Sequence, residues 1–283
     1  VNDGHEVFAI VRPTSKIDEL SENLRRNVNF FVNDENHTVM DIVGGICEQK
    51  NGGGKPDVVY HLASLLLSSH KFDDIKNLIQ SNITFGTELL DAMAANGIRN
   101  FVNAETFAQH YEDVDYSPAT LYAATKQCFN DIVRFYVDAY QLKCISLCIF
   151  NTYGADDKML RILGLLKKIH DSGETLKMSP GGQLIDIVHV SDIVEAFVLA
   201  GKYLSESKYD YCGTYGLSSM NPIPLREVVK IFEEVAGRKL PIEWGGLPYR
   251  AREIMVPWKS FKQFPGWRSK TDLREGIKAL LES

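Results

Sequence analysis

Hydrophobic and polar positions follow two different periods along the first half of the chain. Short apolar runs rich in β-branched and aromatic residues are typical of buried parallel strands, and amphipathic stretches with helical spacing separate the later runs. The predicted strands are residues 5–11, 57–63, 100–104 and 143–150, and the predicted helices are residues 77–96 and 123–140. Strands that alternate with helices predict a doubly wound parallel sheet of the α/β class.

The pattern changes after Asn151, where helical stretches, a Gly-Gly turn and a Pro-bearing region replace the strands. A chain of 283 residues is long enough for one α/β domain and a smaller lobe packed against it. We therefore predict a first domain over residues 1–155 and a lobe mainly over residues 156–283. Residues 183–200 are expected to return to the sheet.

Net charge, hydrophobicity and the spacing of cysteines and histidines limit which binding partners and which cellular location we expect. The net charge of −6 is spread over both signs without a long basic run, so it gives no reason to expect a nucleic acid or an anionic membrane as a partner. No apolar stretch approaches the roughly 20 residues that cross a bilayer, and the first residues lack a signal-peptide pattern, which predicts a soluble, cytoplasmic protein. The five cysteines and seven histidines show no metal-ligand spacing, so we predict no metal site.

Tyr122 and Lys126 are the first candidates for chemistry. They lie four residues apart at the start of a predicted helix, so the phenol and the ammonium share one face. A free phenol has a pKa of about 10, and a nearby ammonium favours the phenolate, so the pair can exchange a proton with a hydroxyl or carbonyl oxygen. Such pairs also occur on solvated helix faces, so the spacing needs support from other residues.

That support comes from polar residues that follow successive strands. Residues 57–64 end a strand where a cofactor would bind, with Leu62, Ala63 and Ser64 as the expected contacts. Thr106 follows the next strand, and Asn151 follows the strand after the helix. Active-site residues of such sheets gather at the carboxyl ends of strands. His61, inside an apolar strand, is expected to be a packed, hydrogen-bonded histidine rather than a base.

The first predicted strand ends in Arg12, Ser15 and Lys16 rather than in the acidic residue that would hold the ribose hydroxyls of NAD. An arginine at this place accommodates a 2′-phosphate, so we predict NADP, with NAD as the alternative. The chain has no G-x-G-x-x-G, and Gly4 resembles the cap that ends a helix. We therefore expect the first strand and the glycine turn of a dinucleotide-binding unit to be missing, through truncation or damage to the site.

The ordered motifs resemble those of the extended short-chain dehydrogenase/reductases that act on nucleotide sugars, the NAD-dependent epimerase/dehydratase type. The matching positions are Tyr122 and Lys126 for the YxxxK pair, Thr106 for the Ser/Thr that holds the reacting oxygen, Asn82 for the asparagine that begins the helix after the fourth strand, Asn151 for the N-x-Y-G segment, and residues 186–192 for D-x-V-H-V-x-D. The resemblance implies a Rossmann-type fold, a cofactor contact for Asn82, a substrate contact for Asn151, and a possible homodimer.

Residues 106–111, 181–189 and 249–266 are most similar to the CDP-abequose and CDP-paratose synthases, which reduce the 4-keto group of a CDP-linked 3,6-dideoxyhexose. Ile185 stands where 4-epimerases usually have arginine before the D-x-V-H-V segment. Two departures from the family pattern are Glu105, where small residues are usual, and Ala108, where an aromatic residue is usual.

This narrower resemblance implies an NAD(P)-dependent 4-ketoreductase of surface polysaccharide (O-antigen) biosynthesis. Arg250 and Arg252 are candidates for the diphosphate of the nucleotide sugar, because a guanidinium matches phosphate oxygens in a bidentate way. One of them could instead pair with Glu253. The alternatives are a nucleotide-sugar 4-epimerase that uses the same groups, and a family member without a dinucleotide site that acts as a binding protein.

Overall fold

The computed structural model describes residues 4–49, 55–155, 161–206 and 212–283. The strands are β1 (Val7–Val11), β2 (Val28–Val32), β3 (Val59–His61), β4 (Asn100–Thr106), β5 (Lys143–Ile149), β6 (Asn151–Tyr153), β7 (Leu176–Met178), β8 (Leu184–Ile185), β9 (Ile187–His189), β10 (Cys212–Leu217), β11 (Ile223–Pro224) and β12 (Ile242–Trp244). The α-helices are α1 (Glu22–Asn27), α2 (Val39–Gln49), α3 (Ile75–Ile79), α4 (Phe85–Ala95), α5 (Leu121–Tyr140), α6 (Ile162–Ser172), α7 (Val190–Ser205), α8 (Leu225–Ala236) and α9 (Leu273–Glu282).

The main sheet is parallel and has the strand order β10-β5-β4-β3, while β1 and β2 form a separate parallel pair. β4 and β5 are in register from Asn100 opposite Lys143 to Thr106 opposite Ile149. Because all four strands point the same way, the segments that follow β3, β4 and β5 emerge at one edge of the sheet. That edge can bring together the polar residues that follow these strands.

Helices cover both faces of the main sheet, and the alternation along β4 explains why. Phe101 points into a core with α2, α4 and α5, whereas its neighbour Val102 points into a second core with α7. Successive side chains of a strand face opposite sides, so an apolar strand of this kind needs a helical layer on each side. The predicted doubly wound α/β architecture is therefore confirmed.

A second lobe is built from α6, α8 and α9. Their apolar faces bury Leu163, Leu166, Val228, Phe232 and Ile277 in a third core. The lobe predicted mainly over residues 156–283 does not account for β10, which adds a parallel strand to the main sheet beside β5. Its sequence, with two glycines in six residues, gives a weak strand signal.

Other differences concern local elements. The single helix predicted over residues 77–96 is α3, a π-helical turn Gln80–Thr84 and α4. No element was predicted between residues 12 and 56, where the structure has α1, β2 and α2. Gly4 has a φ of +79°, as a helix-ending glycine does, but residues 1–3 of the expected helix lie outside the described residues. None of the helices in the described ranges is long and apolar enough to span a bilayer.

Candidate active site

Helix α5 positions the Tyr122 and Lys126 pair. The helix starts at Leu121 because the side chain of Thr120 accepts a hydrogen bond from the backbone N–H of Ala123, at 3.1 Å. It packs so closely on α4 that a Cβ added to Gly86 would lie 2.4 Å from the Phe129 ring. This close packing fixes the helix whose first turns carry the candidate catalytic side chains.

Tyr122 faces the segment that follows β3. Burial raises the pKa of its phenol to about 12, although a hydrogen bond with the Ser64 side chain opposes the rise. Among nearby charges, Glu105 raises this pKa further and Arg161 lowers it. Lys126 was expected to favour the phenolate, but the net effect of the surroundings is a phenol that stays protonated at neutral pH. A protonated phenol can donate a proton.

Lys126 follows Tyr122 by four residues on α5 and lies in the protein interior, with a relative exposure of 2%. Burial lowers the pKa of its ammonium, and the negative charge of Glu105 raises it. The charge of Glu105 thus opposes the effect of desolvation on the buried ammonium. The structure thus brings Glu105 into the group that contains Tyr122 and Lys126.

Thr106 ends β4 at the same edge of the sheet. Its hydroxyl oxygen accepts from the backbone N–H of Ala108 at 3.3 Å, and its own N–H donates to Gln109 Oε1 at 3.1 Å. Gln109 Nε2 in turn donates to Gln127 Oε1 on α5, at 3.1 Å. These bonds fix Thr106 relative to α5 and use its hydroxyl as an acceptor, so its proton can be donated to a carbonyl oxygen.

Leu62, Ala63 and Ser64 form an exposed segment beyond β3, as a cofactor-binding segment requires; Leu62 is 61% exposed. Asn82, in contrast, is fully buried. Its Oδ1 accepts from the Leu65 N–H at 2.6 Å, and its Nδ2 donates to Leu65 O at 3.0 Å and to Thr125 Oγ1 at 2.9 Å. These bonds occupy the Asn82 amide with protein groups and tie the exposed segment to α5, and a cofactor contact for Asn82 stays a prediction.

Arg12 and Ser15 form a turn at the end of β1, apart from the Tyr122 group. Ser15 Oγ accepts from the Arg12 N–H at 3.1 Å, and the Ser15 N–H donates to Arg12 O at 3.0 Å. The Ser15 hydroxyl thus shapes the turn, and the Arg12 side chain is exposed beyond it. This placement leaves the guanidinium available to an anionic group at the carboxyl end of β1.

Arg250 and Arg252 differ in their surroundings. Arg252 donates from Nη2 to Ser117 Oγ at 2.7 Å and from Nε to Pro118 O at 3.1 Å, and its guanidinium lies 4.2 Å from the centre of the Tyr111 ring. It therefore fastens the second lobe to the segment before α5. Arg250 is exposed. Its backbone N–H donates to Glu253 Oε2 at 3.4 Å, and its carbonyl oxygen accepts from the Glu253 N–H at 3.1 Å.

Asn151 belongs to the junction between the main sheet and the second lobe. Its Nδ2 and its backbone N–H both donate to Asp186 O, at 3.1 Å and 3.2 Å. The side-chain nitrogen of Asn151 therefore binds the backbone at residue 186. Its side-chain oxygen, Oδ1, is the atom that can accept a hydrogen bond from a ligand. Asp186 itself binds Ser218 and the Ser219 N–H, which holds this junction together.

His61 is packed between aromatic rings, with centroids 5.0 Å from Phe129 and 6.0 Å from Phe101. Burial and the charge of Lys126 lower its pKa to about 3, so the ring is neutral. Its Nε2 has no hydrogen-bond partner among the described residues, so the expectation of a hydrogen-bonded histidine is wrong at that atom.

Glu105 was noticed in the sequence only as a departure from a family pattern. A better signal was available: Asn103 and Glu105 are two residues apart in an apolar strand, so they share one face of β4. Both are buried, and Asn103 Nδ2 donates to Glu105 Oε1 at 2.5 Å.

Comparisons with known proteins show which proteins this chain is similar to. UDP-glucose 4-epimerase from Corynebacterium glutamicum is 26% identical over 259 residues, which covers 82% of this chain and 77% of the relative. CDP-abequose synthase from Salmonella muenchen is 26% identical over 211 residues, which covers 73% of this chain and 70% of the relative.

Among solved structures, UDP-glucuronic acid 4-epimerase from Bacillus cereus, in complex with UDP-glucuronic acid and NAD, superposes with a TM-score of 0.80 at 18% identity. The superposition covers 99% of this chain and 91% of that one. The model of the NAD-dependent epimerase/dehydratase family matches residues 2–211. With its Rossmann-type fold, the chain belongs to the NAD-dependent epimerase/dehydratase family.

Proposed function

We propose that this protein is an NAD(P)-dependent ketoreductase that reduces the 4-keto group of a CDP-linked 3,6-dideoxyhexose, as a step in making a surface polysaccharide such as O-antigen. The observation that carries the proposal is the placement of Tyr122 and the buried Lys126 in the first turns of α5, with Thr106 at the end of β4 on the same edge of the main sheet. Reduction of a ketone needs a group that donates a proton to the new alkoxide oxygen. The similarity to CDP-abequose synthases supports the choice of substrate.

Each side chain has a separate role in this reaction. Thr106 donates a hydrogen bond to the carbonyl oxygen and polarises it, and Tyr122 passes its phenolic proton to that oxygen. Lys126 orients the phenol and offers an ammonium to the ribose of the cofactor. When bound, a reduced nicotinamide supplies the hydride for the carbonyl carbon. Ser64 and the exposed segment before it fit the nicotinamide half of such a cofactor, because they lie next to the phenol.

NADP is the proposed cofactor because of the turn after β1. The exposed guanidinium of Arg12 suits a 2′-phosphate, and Ser15 keeps the turn that presents it. Arg12→Ala should raise the Kd of NADPH roughly tenfold and change that of NADH little, since a charge-assisted hydrogen bond is worth about 1.5–3 kcal/mol. Equal losses for both cofactors in isothermal titration would contradict this assignment.

Arg250 is the better candidate for the diphosphate of the sugar nucleotide, because two donors of Arg252 already make hydrogen bonds with Ser117 and Pro118. Asn151 is proposed to accept from the same ligand through its side-chain oxygen. A homodimer is proposed through helix α5, because this helix leaves Phe135 and Tyr140 exposed.

A 4-epimerase is the second candidate, supported by the similarity to the Corynebacterium UDP-glucose 4-epimerase. It would use the same phenol as a base toward the sugar hydroxyl and return the hydride to the opposite face. Ile185 stands where 4-epimerases usually have arginine, and this favours the reductase.

The test is to incubate the purified full-length protein with NADPH and a CDP-4-keto-3,6-dideoxyhexose, and to follow the absorbance of NADPH while the sugar is identified. Stoichiometric loss of NADPH is expected, and Tyr122→Phe should lower kcat by at least about 100-fold. Tyr140→Phe, at the exposed end of the same helix, is the matched control and should retain wild-type kcat. Sugar inversion without net loss of NADPH would replace the reductase with an epimerase.

A further inference from the structure

A loop of residues 107–118 connects Thr106, at the end of β4, to the residues that cap α5. The loop folds back on itself: the Ser117 N–H donates to Gln109 O at 2.8 Å, and the Tyr111 N–H donates to Ser117 O at 2.9 Å. Gln109 Oε1 also accepts from the Thr106 N–H at 3.1 Å. Because these bonds join Thr106 to the body of the loop, the two change position together.

Asp113 joins this loop to a segment of the second lobe, residues 249–260. Its Oδ1 accepts from the Lys259 N–H at 2.7 Å and from the Ser260 N–H at 3.2 Å. Hydrogen bonds to an ionised carboxylate are shorter and stronger than those between neutral groups. The Asp113 carboxylate therefore holds the loop directly against the 249–260 segment.

Two further contacts join the same loop and segment. The His110 ring stacks on the Trp258 ring, with their centroids 3.6 Å apart and an angle of 11° between the planes. Arg252 binds the end of the loop, as described above. The 249–260 segment also contains Arg250, the residue proposed to bind the diphosphate. The loop that carries Thr106 is thus packed against the segment proposed to bind the nucleotide.

The backbone of the loop is strained where Asp113 makes its link. Glu112 and Asp113 have φ values of +60° and +59°, in the left-handed region that side chains with a Cβ rarely adopt. Such conformations persist where the surrounding structure imposes them. The bonds from residues 259 and 260 to the carboxylate impose this one, together with the Asp113 N–H, which donates to His110 O at 3.1 Å. Loss of the link would therefore let the loop relax.

We propose that Asp113 is a positioning residue: its carboxylate couples the binding of the sugar nucleotide at the 249–260 segment to the position of the 107–118 loop, and so to that of Thr106. This role rests on the function proposed above, which puts the diphosphate at Arg250 and the carbonyl oxygen at Thr106. Binding energy from a remote part of a substrate raises kcat when it orients the reacting groups. Asp113 connects the remote part to the reacting oxygen.

Two substitutions at Asp113 and one beside it separate the acceptor from the backbone conformation. Asp113→Gly removes the acceptor and fits the left-handed φ without strain, because glycine has no Cβ. Asp113→Asn keeps an acceptor oxygen on a residue that tolerates this φ. Glu112→Gly is the matched control, because it relaxes the backbone at an exposed neighbour and leaves the Asp113 carboxylate in place.

Amide hydrogen exchange, measured by mass spectrometry on the full-length protein, tests the coupling without an assay of activity. In the wild type, CDP should slow exchange in both the 249–260 segment and the 107–118 loop. In Asp113→Gly, CDP should still protect the segment, while its protection of the loop should fall about fivefold or more. Asp113→Asn and Glu112→Gly should keep the wild-type protection. Equal protection of the loop in Asp113→Gly and the wild type would overturn the coupling.

Kinetics gives a second measure of the same coupling. In Asp113→Gly, kcat for NADPH oxidation with the CDP-4-keto-3,6-dideoxyhexose should fall about tenfold, while the KM of the sugar nucleotide changes less than about twofold. The nucleotide contacts remain in this variant but no longer position Thr106. Asp113→Asn should return kcat to within about threefold of the wild type, with active sites counted by CDP titration. An equal fall of kcat in Asp113→Gly and Glu112→Gly would assign the effect to the backbone and overturn the role of the carboxylate.

The outcomes separate the coupling from the function. If NADPH is consumed and CDP protects the loop alike in every variant, the coupling fails and the reductase stands. If no form consumes NADPH, but CDP protects the loop only where residue 113 has an acceptor oxygen, the coupling stands and the reductase proposal fails. If CDP protects neither region of the wild type, the coupling is overturned, and consumption of NADPH decides the reductase proposal by itself.

Discussion

Asn82 offers a direct test of how the exposed segment after β3 is held. Its three hydrogen bonds, two to the backbone of Leu65 and one to Thr125, are 2.6 to 3.0 Å long and are made by a fully buried side chain. Asn82→Leu keeps the approximate volume and removes every one of them. The variant isolates the polar contribution of one side chain to the position of the segment.

The magnitude follows from the groups left unpaired. The Leu65 N–H and C=O each lose a partner, and a buried polar group without one costs about 1–3 kcal/mol. Leu65 is only partly buried, so water recovers some of this cost. Thr125 keeps its hydrogen bond to Tyr122 O at 2.7 Å and contributes little. The free energy of unfolding should therefore fall by about 3 kcal/mol.

The assay is urea unfolding, followed by tryptophan fluorescence and far-UV circular dichroism, with equal slopes required for the comparison. Asn77→Leu, at an exposed position of α3, is the matched control and should change the free energy of unfolding by less than about 0.5 kcal/mol. A loss below about 1 kcal/mol in Asn82→Leu would refute the claim that this amide holds the segment.

Three further predictions concern stability. Burial raises the pKa of Glu105 from its ordinary value of 4.5 to about 7 in the folded protein, so the unfolded chain ionises first as pH rises. The free energy of unfolding of the wild type should therefore fall by about 3 kcal/mol between these two pKa values. Urea unfolding of Glu105→Gln between pH 4 and 8 should lack that fall, and parallel pH curves for the two proteins would contradict this prediction. For Asp192, burial acts to raise the pKa, but hydrogen bonds from Thr271 and its neighbours lower it overall, so its stabilisation is present at neutral pH and lost as pH falls through the folded pKa. Asp192→Asn should cost about 1–3 kcal/mol at pH 7 and less near pH 3, and a constant difference would exclude the charge as the cause. Gly86→Ala should lower the free energy of unfolding by about 1–3 kcal/mol, because its Cβ would meet the Phe129 ring; a rise in the thermal midpoint would mean that helix propensity outweighs the overlap.

The sequence by itself determined the α/β class, four of the strands and the order of the candidate residues. The apolar runs that became β1, β3, β4 and β5 are local signals, and so is the spacing of Tyr122 and Lys126. Parallel strands then imply a common edge, which is why residues after three strands could be assigned to one site before any coordinates were known. The period of hydrophobic residues and the order of the elements can be read from the sequence, because neither depends on which surfaces come into contact in the folded protein.

Only the tertiary structure decided what individual polar side chains do. Asn82 and Arg252 each satisfy groups that are distant along the chain, so a cofactor or phosphate role could not be separated from a supporting role by sequence alone. β10 is a strand because β5 offers it a partner, not because its own residues favour one. The protonation of Tyr122 and Glu105 depends on burial and on charges brought near by folding. Desolvation and neighbouring charges set these two pKa values, and both effects arise only once the sheet and α5 have packed together.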